Sequence, residues 1–500
     1  MKYPKTVQAL FDAFSRAGRD LYLVGGAVRD FELGQPFESL DDLDFCTNAR
    51  PPETLKILRD NKFSIYELGA EFGTVGAVIY GPSKKDPDYT PSPDAVYPKD
   101  CQITTYRSEE FYSRGSRHPS VQFGDTIEQD LKRRDFSINS MALDPNGDLF
   151  DPYNGKKDLK DGVLRVIGDP LETLAEDPLR ILRVGRFISR LGFEPTEELR
   201  QAADARADGI LDISAERWLQ EMSKLLRGDY VGQALVFLHE IRILGMILPE
   251  VDALFGFYPH TPPCAQDADA DDTQELPPGP FWQDTIRALN AAPSVDANAD
   301  ARLCWALLLQ HIGKRWTKTV TRDADGNPKI SYPGHQKVAA HAAAEVAARF
   351  RFDNETSREV RALLLNFDPD NFYQPSWSDP QIRRFVRQID PYVEPLLNFA
   401  RASTATIEPQ DARDEKLAHI EELAGRIAQL AAKQTLRPEL PSGIGNPLMK
   451  ALGLKPSPII GELKNWLEEE IIDERIESRR SANYYIEYTR RVDPDFLKES

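Results

Sequence analysis

The sequence predicts an α+β protein: a small β-sheet with helices at the N-terminus, followed by an all-α remainder. Three observations predict it. Residues 21–47 read as strand, glycine turn, short helix, loop and second strand. Residues 63–66, 73–79 and 101–107 add further short runs of strand composition. Beyond Gly228 the chain reads as helical with one break, an acidic loop over 260–280 rich in Pro, Asp and Ala. Five hundred residues, 41% hydrophobic and 28% charged, suffice for several domains with their own cores.

In chain order, residues 4–18 pattern as a short amphipathic helix closed by Gly18. An apolar run over 21–24 ends at Gly25 and Gly26, and 27–33 has helical composition. Adjacent glycines let backbone approach a bulky anion, with the amides of the following helix pointing at it. Arg29, one turn in, can fork onto the same phosphates. A plain tight turn is the alternative. Asp42 and Asp44 then precede the apolar Phe45 and Cys46. Residues i and i+2 of a strand share a face about 6.6 Å apart, so the two carboxylates converge. A hard divalent cation such as Mg2+ relieves their repulsion and takes further oxygens from a phosphate substrate. The alternative is a solvated acidic edge continuing from Asp41. Turn and carboxylate pair together suggest metal-assisted phosphoryl transfer.

The segments LVGGAVRD (23–30) and DDLDF (41–45) resemble the head of the polymerase-beta-like nucleotidyltransferases, specifically the bacterial-type (class II) tRNA nucleotidyltransferase and poly(A) polymerase family. The resemblance implies that Asp42 and Asp44 are catalytic and hold Mg2+, while Gly25, Gly26 and Arg29 hold the triphosphate. It also implies a nucleotidyltransferase head over 1–150, a base-recognising helical neck over 151–230, a helical body over 231–350 and an RNA-binding helical tail over 351–500. The implied reaction is addition of C and A from CTP and ATP to the tRNA 3′ end. The RNA 3′-hydroxyl attacks the α-phosphate in line and pyrophosphate leaves toward Gly25, Gly26 and Arg29.

The remaining elements extend this reading. Pro51 and Pro52 introduce a helix to about Lys62, and the prolines of 81–99 read as a loop. In the strand 101–107, family members carry a third acidic residue where this chain has Gln102, which cannot bridge metals as a carboxylate does. Asp100 can substitute only if the strand register allows. Residues 108–121 read as a mobile polar loop, which in the relatives helps the site change nucleotides. DLKRRDFSINSMA (130–142) matches the family's second signature: Arg134 offers a fork to phosphate, and Asp135 and Asn139, four apart on a helical face, contact a ribose hydroxyl.

EDPLRILRVGR (176–186) opens a helix with Pro178 in its first turn. Asp177 and Arg180 fall within about 60° of each other, Arg183 is one step further round, and Arg186 drifts to the far side. A carboxylate acceptor beside a guanidinium donor matches the edges of cytosine and adenine and leaves unpaired groups against uracil and guanine. An i to i+3 surface ion pair is the alternative. By the resemblance, Asp177 and Arg180 are a protein template for CTP or ATP, with Arg183 and Arg186 in the same nucleotide site. SAERWLQEMSKLL (214–226) resembles the last neck signature, with Glu216, Arg217, Glu221 and Lys224 bracing that helix.

A formal net charge of −18 disfavours general nucleic-acid binding and predicts local, shape-dependent RNA contact through basic patches at 132–134, 156–160, 180–190 and 314–318. Four scattered cysteines predict reduced thiols and no zinc site; the absence of a signal-like start or a spanning apolar run predicts a cytoplasmic protein without membrane contact. LLLQHIGK (307–314) is similar to the HDIGK signature of metal phosphohydrolases, but Gln310 and His311 stand where His and Asp are needed, so it reads as a core helix end. In the tail, 442–454 and a long charged helix over 459–480 match the family's outline. Poly(A) polymerase and an A-only or CC-only enzyme share these motifs. Gln102 motivates a rival of another class, an RNA-binding protein with impaired catalysis.

Overall fold

The computed structural model describes residues 3–40, 42–66, 73–80, 98–111, 120–259, 278–296, 300–368, 372–433, 436–437, 439–494 and 497. Of the loops expected over 81–99 and 260–280, residues 81–97 and 260–277 lie outside the described residues, as do Asp41 and Cys264. Cys46, Cys101 and Cys304 are buried free thiols. Backbone contacts divide the chain into two compact units, Met1–Ala253 with Ala348–Arg351, and Leu254–Ala347 with Phe352–Ser500.

In the first unit α1 (Lys5–Arg16) buries Val7, Leu10, Phe11, Ala13 and Phe14 as one stripe. β1 (Leu21–Val24) passes through Gly25 into α2 (Gly26–Glu32), and β2 (Asp42–Thr47) returns antiparallel to β1. After α3 (Pro51–Asp60) come β3 (Ser64–Tyr66), β4 (Thr74–Ile79) and β5 (Lys99–Thr105). β6 (Arg107–Phe111) and β7 (Ser120–Phe123) form a separate hairpin, so the stretch expected as a mobile loop has paired strands at both ends. α4 (Ile127–Lys132), capped by the Thr126 hydroxyl, leads to β8 (Ala142–Leu143) and β9 (Leu149–Phe150). The sheet order is β3-β4-β5-β2-β1-β8-β9, with β2 and β5 parallel and the other pairs antiparallel. That parallel pair sets the carboxylates beside their neighbours.

The helical part of the unit follows. α5 (Gly155–Asp161), β10 (Val163–Leu164) and α6 (Pro170–Glu176) lead to α7 (Leu179–Leu191); β11 (Glu194–Pro195) pairs with β10 and precedes α8 (Glu197–Ala205), α9 (Ala215–Leu225) and α10 (Val231–Glu240). α7 is the central rod. A Cβ on its Gly185 would stand 3.1 Å from Leu225 Cδ1 of α9 and 3.3 Å from Leu238 Cδ2 of α10, so the glycine sets how closely the three helices approach.

Two expectations are corrected here. Pro178 caps α7 from outside, and Asp177 sits before it in extended backbone at the end of α6, so Asp177 and Arg180 do not share a helical face. Residues 135–139 are likewise not α-helical: α4 stops at Lys132 and only a 3-10 turn, Ser137–Asn139, follows.

In the second unit most of the described elements are helical, from Pro280–Val295 and Ala301–Leu309 to Ile459–Ile472 and Ala482–Val492. The segment 307–309 is fully buried and Gln310 and His311 nearly so, a core helix end as expected. The remainder is not purely helical, however, because β12 (Thr319–Arg322) and β13 (Pro328–Ser331) form an antiparallel hairpin. The long helix expected over 459–480 stops at Ile472, where Glu474 takes a left-handed φ of 59°. No described helix is long and apolar enough to cross a membrane.

Candidate active site

Alternation along β2 sends Leu43 and Phe45 into the core and leaves Asp42 and Asp44 exposed on the opposite face. On the parallel neighbour β5, Asp100 lies beside Asp42 and Gln102 beside Asp44, both exposed on that face. The register therefore gives Asp100 the right face, where burial and the Asp100 charge raise the nearby Tyr66 hydroxyl. Among the described residues no three acidic, His or Cys side chains converge as a metal-holding group. Crowding by the cleft walls raises the Asp44 carboxyl above its ordinary value; Arg134 opposes the shift and Asp42 adds to it. Two oxygen donors whose mutual repulsion is felt in this way fit a hard divalent cation that draws its other ligands from phosphate.

Gly25 has φ 71° and ψ −137°, and a Cβ there would stand 3.2 Å from Arg134 Nη1 and 3.7 Å from Asp44 Oδ2. The turn is thus open because the residue is glycine, with a guanidinium and a carboxylate facing it. Arg134 is aimed by Asp130, which is fully buried. Arg133 donates to Asp130 Oδ1 (3.2 and 2.9 Å) and Arg134 to Oδ2 (3.2 and 2.9 Å). Burial alone would raise the Asp130 carboxyl, but the two guanidiniums outweigh it and hold it below its ordinary value.

Arg29 departs from the expected free fork. It is 3% exposed, donates to Asp30 Oδ1 (2.8 Å) and, through Nη1, to Asn139 Oδ1 (2.8 Å). Asn139 in turn donates to Asp135 Oδ1 (3.2 Å), and Asp135 Oδ2 is 2.6 Å from Arg183 Nη2. Arg190 closes the circuit on Asp30 Oδ2 at 2.8 Å. α2, the 135–139 turn and α7 are therefore tied at two points. Burial opposes ionisation of Asp135, yet Arg183 and Asn139 bring its carboxyl below the ordinary range.

A cleft of about 1290 Å³ is lined by all twelve sequence-predicted site residues: Gly25, Gly26, Arg29, Asp42, Asp44, Arg134, Asp135, Asn139, Asp177, Arg180, Arg183 and Arg186. Arg186, expected on the far side, lines it because Glu221 of α9 takes its Nη1 at 3.0 Å and its guanidinium lies 4.6 Å from the Phe187 ring centre. Asp177 and Arg180 both face the cleft without pairing to each other. Arg217 of α9 holds the Asp177 carboxylate at 3.2 Å, and Arg180 donates to the Thr173 and Arg133 carbonyls (3.3 and 3.2 Å). Lys224 also lines the cleft; crowding and Arg186 lower its ammonium while Glu221 and Asp42 oppose.

Sequence reasoning missed Asp130, Asp30 and Arg190. Asp130 was findable, since it stands three and four residues before Arg133 and Arg134 on a helical pattern. Asp30 and Arg190 are 160 residues apart and carry no such signal.

This mixed sheet, with a glycine turn and paired carboxylates over a helical neck, has known kin. Residues 21–165 match the poly A polymerase head domain, and residues 192–255 match the probable RNA and SrmB-binding site of polymerase A. Both matches lie within the first 255 residues of the chain. The CCA-adding enzyme of Geobacillus thermodenitrificans is 35% identical over 226 residues, 45% of this chain and 50% of the relative. The chain spans about half the length of the curated relatives it matches. The fold extends further: the crystal structure of the Bacillus stearothermophilus CCA-adding enzyme in complex with CTP superposes with a TM-score of 0.63 at 23% identity over 99% of both chains. A tRNA nucleotidyltransferase complexed with a primer tRNA and an incoming ATP analog aligns with a TM-score of 0.51 at 18% identity, covering 82% of this chain and 97% of the other.

Proposed function

We propose that the chain is a template-independent nucleotidyltransferase that adds C and A from CTP and ATP to the tRNA 3′ end, building or repairing CCA and releasing pyrophosphate. The observation that carries this reading is one cleft holding the Asp42 and Asp44 pair, the open Gly25 turn with Arg134 against it, and Asp177 with Arg180 on the wall. The likeness of the N-terminal half to CCA-adding enzymes supports it.

In this reading Gly25, Gly26 and Arg134 Nη1 receive the triphosphate. The Asp135 and Asn139 pair meets the ribose, and Arg29 keeps Asn139 in place from below instead of touching phosphate. Arg217 uses part of the Asp177 carboxylate, and the remaining lone pairs accept from the amino group of C or A while Arg180 donates to the ring nitrogen. Arg183, Arg186 and Lys224 draw the polyanion into the cleft. Asp42 and Asp44 would hold the divalent ion, Mg2+ in this reading, which when bound neutralises charge developing on the transferring phosphate.

The test is incorporation of labelled CTP and ATP, separately and together with Mg2+, into tRNAs ending before the CCA, after CC, and into an unrelated RNA. Ordered C, C, A addition that stops is the expected result. A long tail of A on any RNA would make the chain a poly(A) polymerase, and A alone on tRNA ending in CC would make it A-adding. Gln102 beside Asp44 favours a second reading, an RNA binder with impaired catalysis, for which the outcome is retention of tRNA without incorporation.

A further inference from the structure

The hairpin of β12 and β13 stands apart from the chemistry above. With the short helix Lys314–Thr317 that precedes it, it lies in a segment, 314–337, carrying six lysines and arginines against two aspartates, in a chain of net charge −18. All four residues of β12 and two of the four of β13 are exposed. Asp323 is spent inside the turn, its Oδ1 accepting from the amides of Asp325 (3.0 Å) and Asn327 (2.8 Å). Arg315, Lys318 and Lys329 have no ion-pair partner among the described residues. Elsewhere in the same unit Arg383, Arg384 and Arg387 are held by Glu474, Glu469 and Glu468.

The hairpin also leaves apolar surface in water. Trp316 is 54% exposed and Val320 59%. A two-stranded hairpin with both faces solvated gains little from a core, so neither burial nor internal ion pairing accounts for these side chains. Unpaired cations flanking an exposed indole match a phosphate backbone with a base or ribose available to stack.

We propose that this hairpin is an RNA-contact surface, with Arg315, Lys318 and Lys329 on backbone phosphates and Trp316 stacked on an unpaired base or ribose. The proposal rests on the reading of tRNA as substrate and adds to it a contact in the second unit.

The test uses the full chain and a tRNA lacking CCA, with Kd measured over a salt series. Four proteins are compared: wild type, the triple variant Arg315→Gln, Lys318→Gln, Lys329→Gln, the single variant Trp316→Ala, and a charge-matched control on exposed α3 residues and their neighbour, Lys56→Gln, Arg59→Gln, Lys62→Gln. The hairpin variant is expected to lower the slope of log K against log salt by about 2 to 3, since each lost phosphate contact removes about 0.7 to 0.9. Trp316→Ala is expected to weaken binding with the slope unchanged. Both variants keep the wild-type melting curve, and kcat at saturating tRNA stays the same while KM rises. An unchanged Kd and slope, or a control that loses as much, overturns the proposal and leaves the hairpin to an acidic protein partner. Wild type that binds tRNA through the hairpin but incorporates nothing refutes nucleotidyl transfer and upholds the contact. Incorporation indifferent to the hairpin does the reverse, and absence of tRNA binding refutes both.

Discussion

Two aspartates at the site are pushed in opposite directions, and each direction is a measurable property. Asp44 is raised, so its protonated form is favoured in the fold: ionised at neutral pH it costs stability, and that cost is relieved as pH falls through its raised folded value. In the proposed reading its hold on a cation is lost over the same interval, because a protonated carboxyl is a poor ligand. The acid limb of kcat/KM is expected above the ordinary carboxylate range and is expected to move to lower pH as Mg2+ is increased, since proton and metal compete; pH–rate profiles at two Mg2+ concentrations check this. Asp44→Asn is expected to cut incorporation by about 10³-fold or more with tRNA affinity kept, read by single-turnover assay and filter binding. Asp130 is depressed, so its stability is fully present above the unfolded carboxylate pKa and is lost as pH falls through its lowered folded value. Asp130→Ala strands two half-buried guanidiniums and is expected to cost about 3 kcal/mol in denaturant unfolding. Asp42 and Asp44 were legible because strand alternation is a local rule. The burial of Arg29 was not, because Asn139, 110 residues away, decides it.

At the scale of elements, helices and strands with a strong local pattern came through and their ends did not. The run 21–47 folded as read, since apolar strands bounded by glycine leave few alternatives. α7 began two residues past Asp177, because Pro178 fits as a cap as readily as in a first turn, and this alone separated the expected Asp177 and Arg180 pair. The β12 and β13 hairpin went unread although TVTR and KIS flank an Asp-Gly turn, because the surrounding periodicity is helical. The close approach at Gly185 is likewise a tertiary fact. Gly185→Val would drive methyl groups into Leu225 and Leu238, and it is expected to cost about 1–3 kcal/mol by overpacking. Because Arg183, Arg186 and Arg190 ride on the same helix, KM for CTP is expected to rise with it; thermal melts and steady-state kinetics on one preparation check both.

Across the whole molecule, recognisable sequence and recognisable fold part company. The family matches span residues 21–165 and 192–255, while the backbone likeness to a CCA-adding enzyme covers 99% of the chain. Chemistry fixes side chains at a site, whereas a helical scaffold needs only apolar periodicity, which many sequences satisfy. The two ligands are accordingly expected to leave different marks on the full chain. The cleft lies wholly within the first unit, so CTP with Mg2+ at a hundred times its Kd adds about 2.7 kcal/mol to opening there and slows exchange of its most protected amides roughly a hundredfold. Hydrogen exchange read by mass spectrometry is expected to show that protection in peptides spanning 21–47, 127–143 and 179–191, with 314–331 unchanged. Adding tRNA lacking CCA is expected to protect 314–331 as well, and Trp316→Ala to remove that second protection alone. Protection of 314–331 by CTP by itself would mean that the hairpin responds to the nucleotide site and not to RNA.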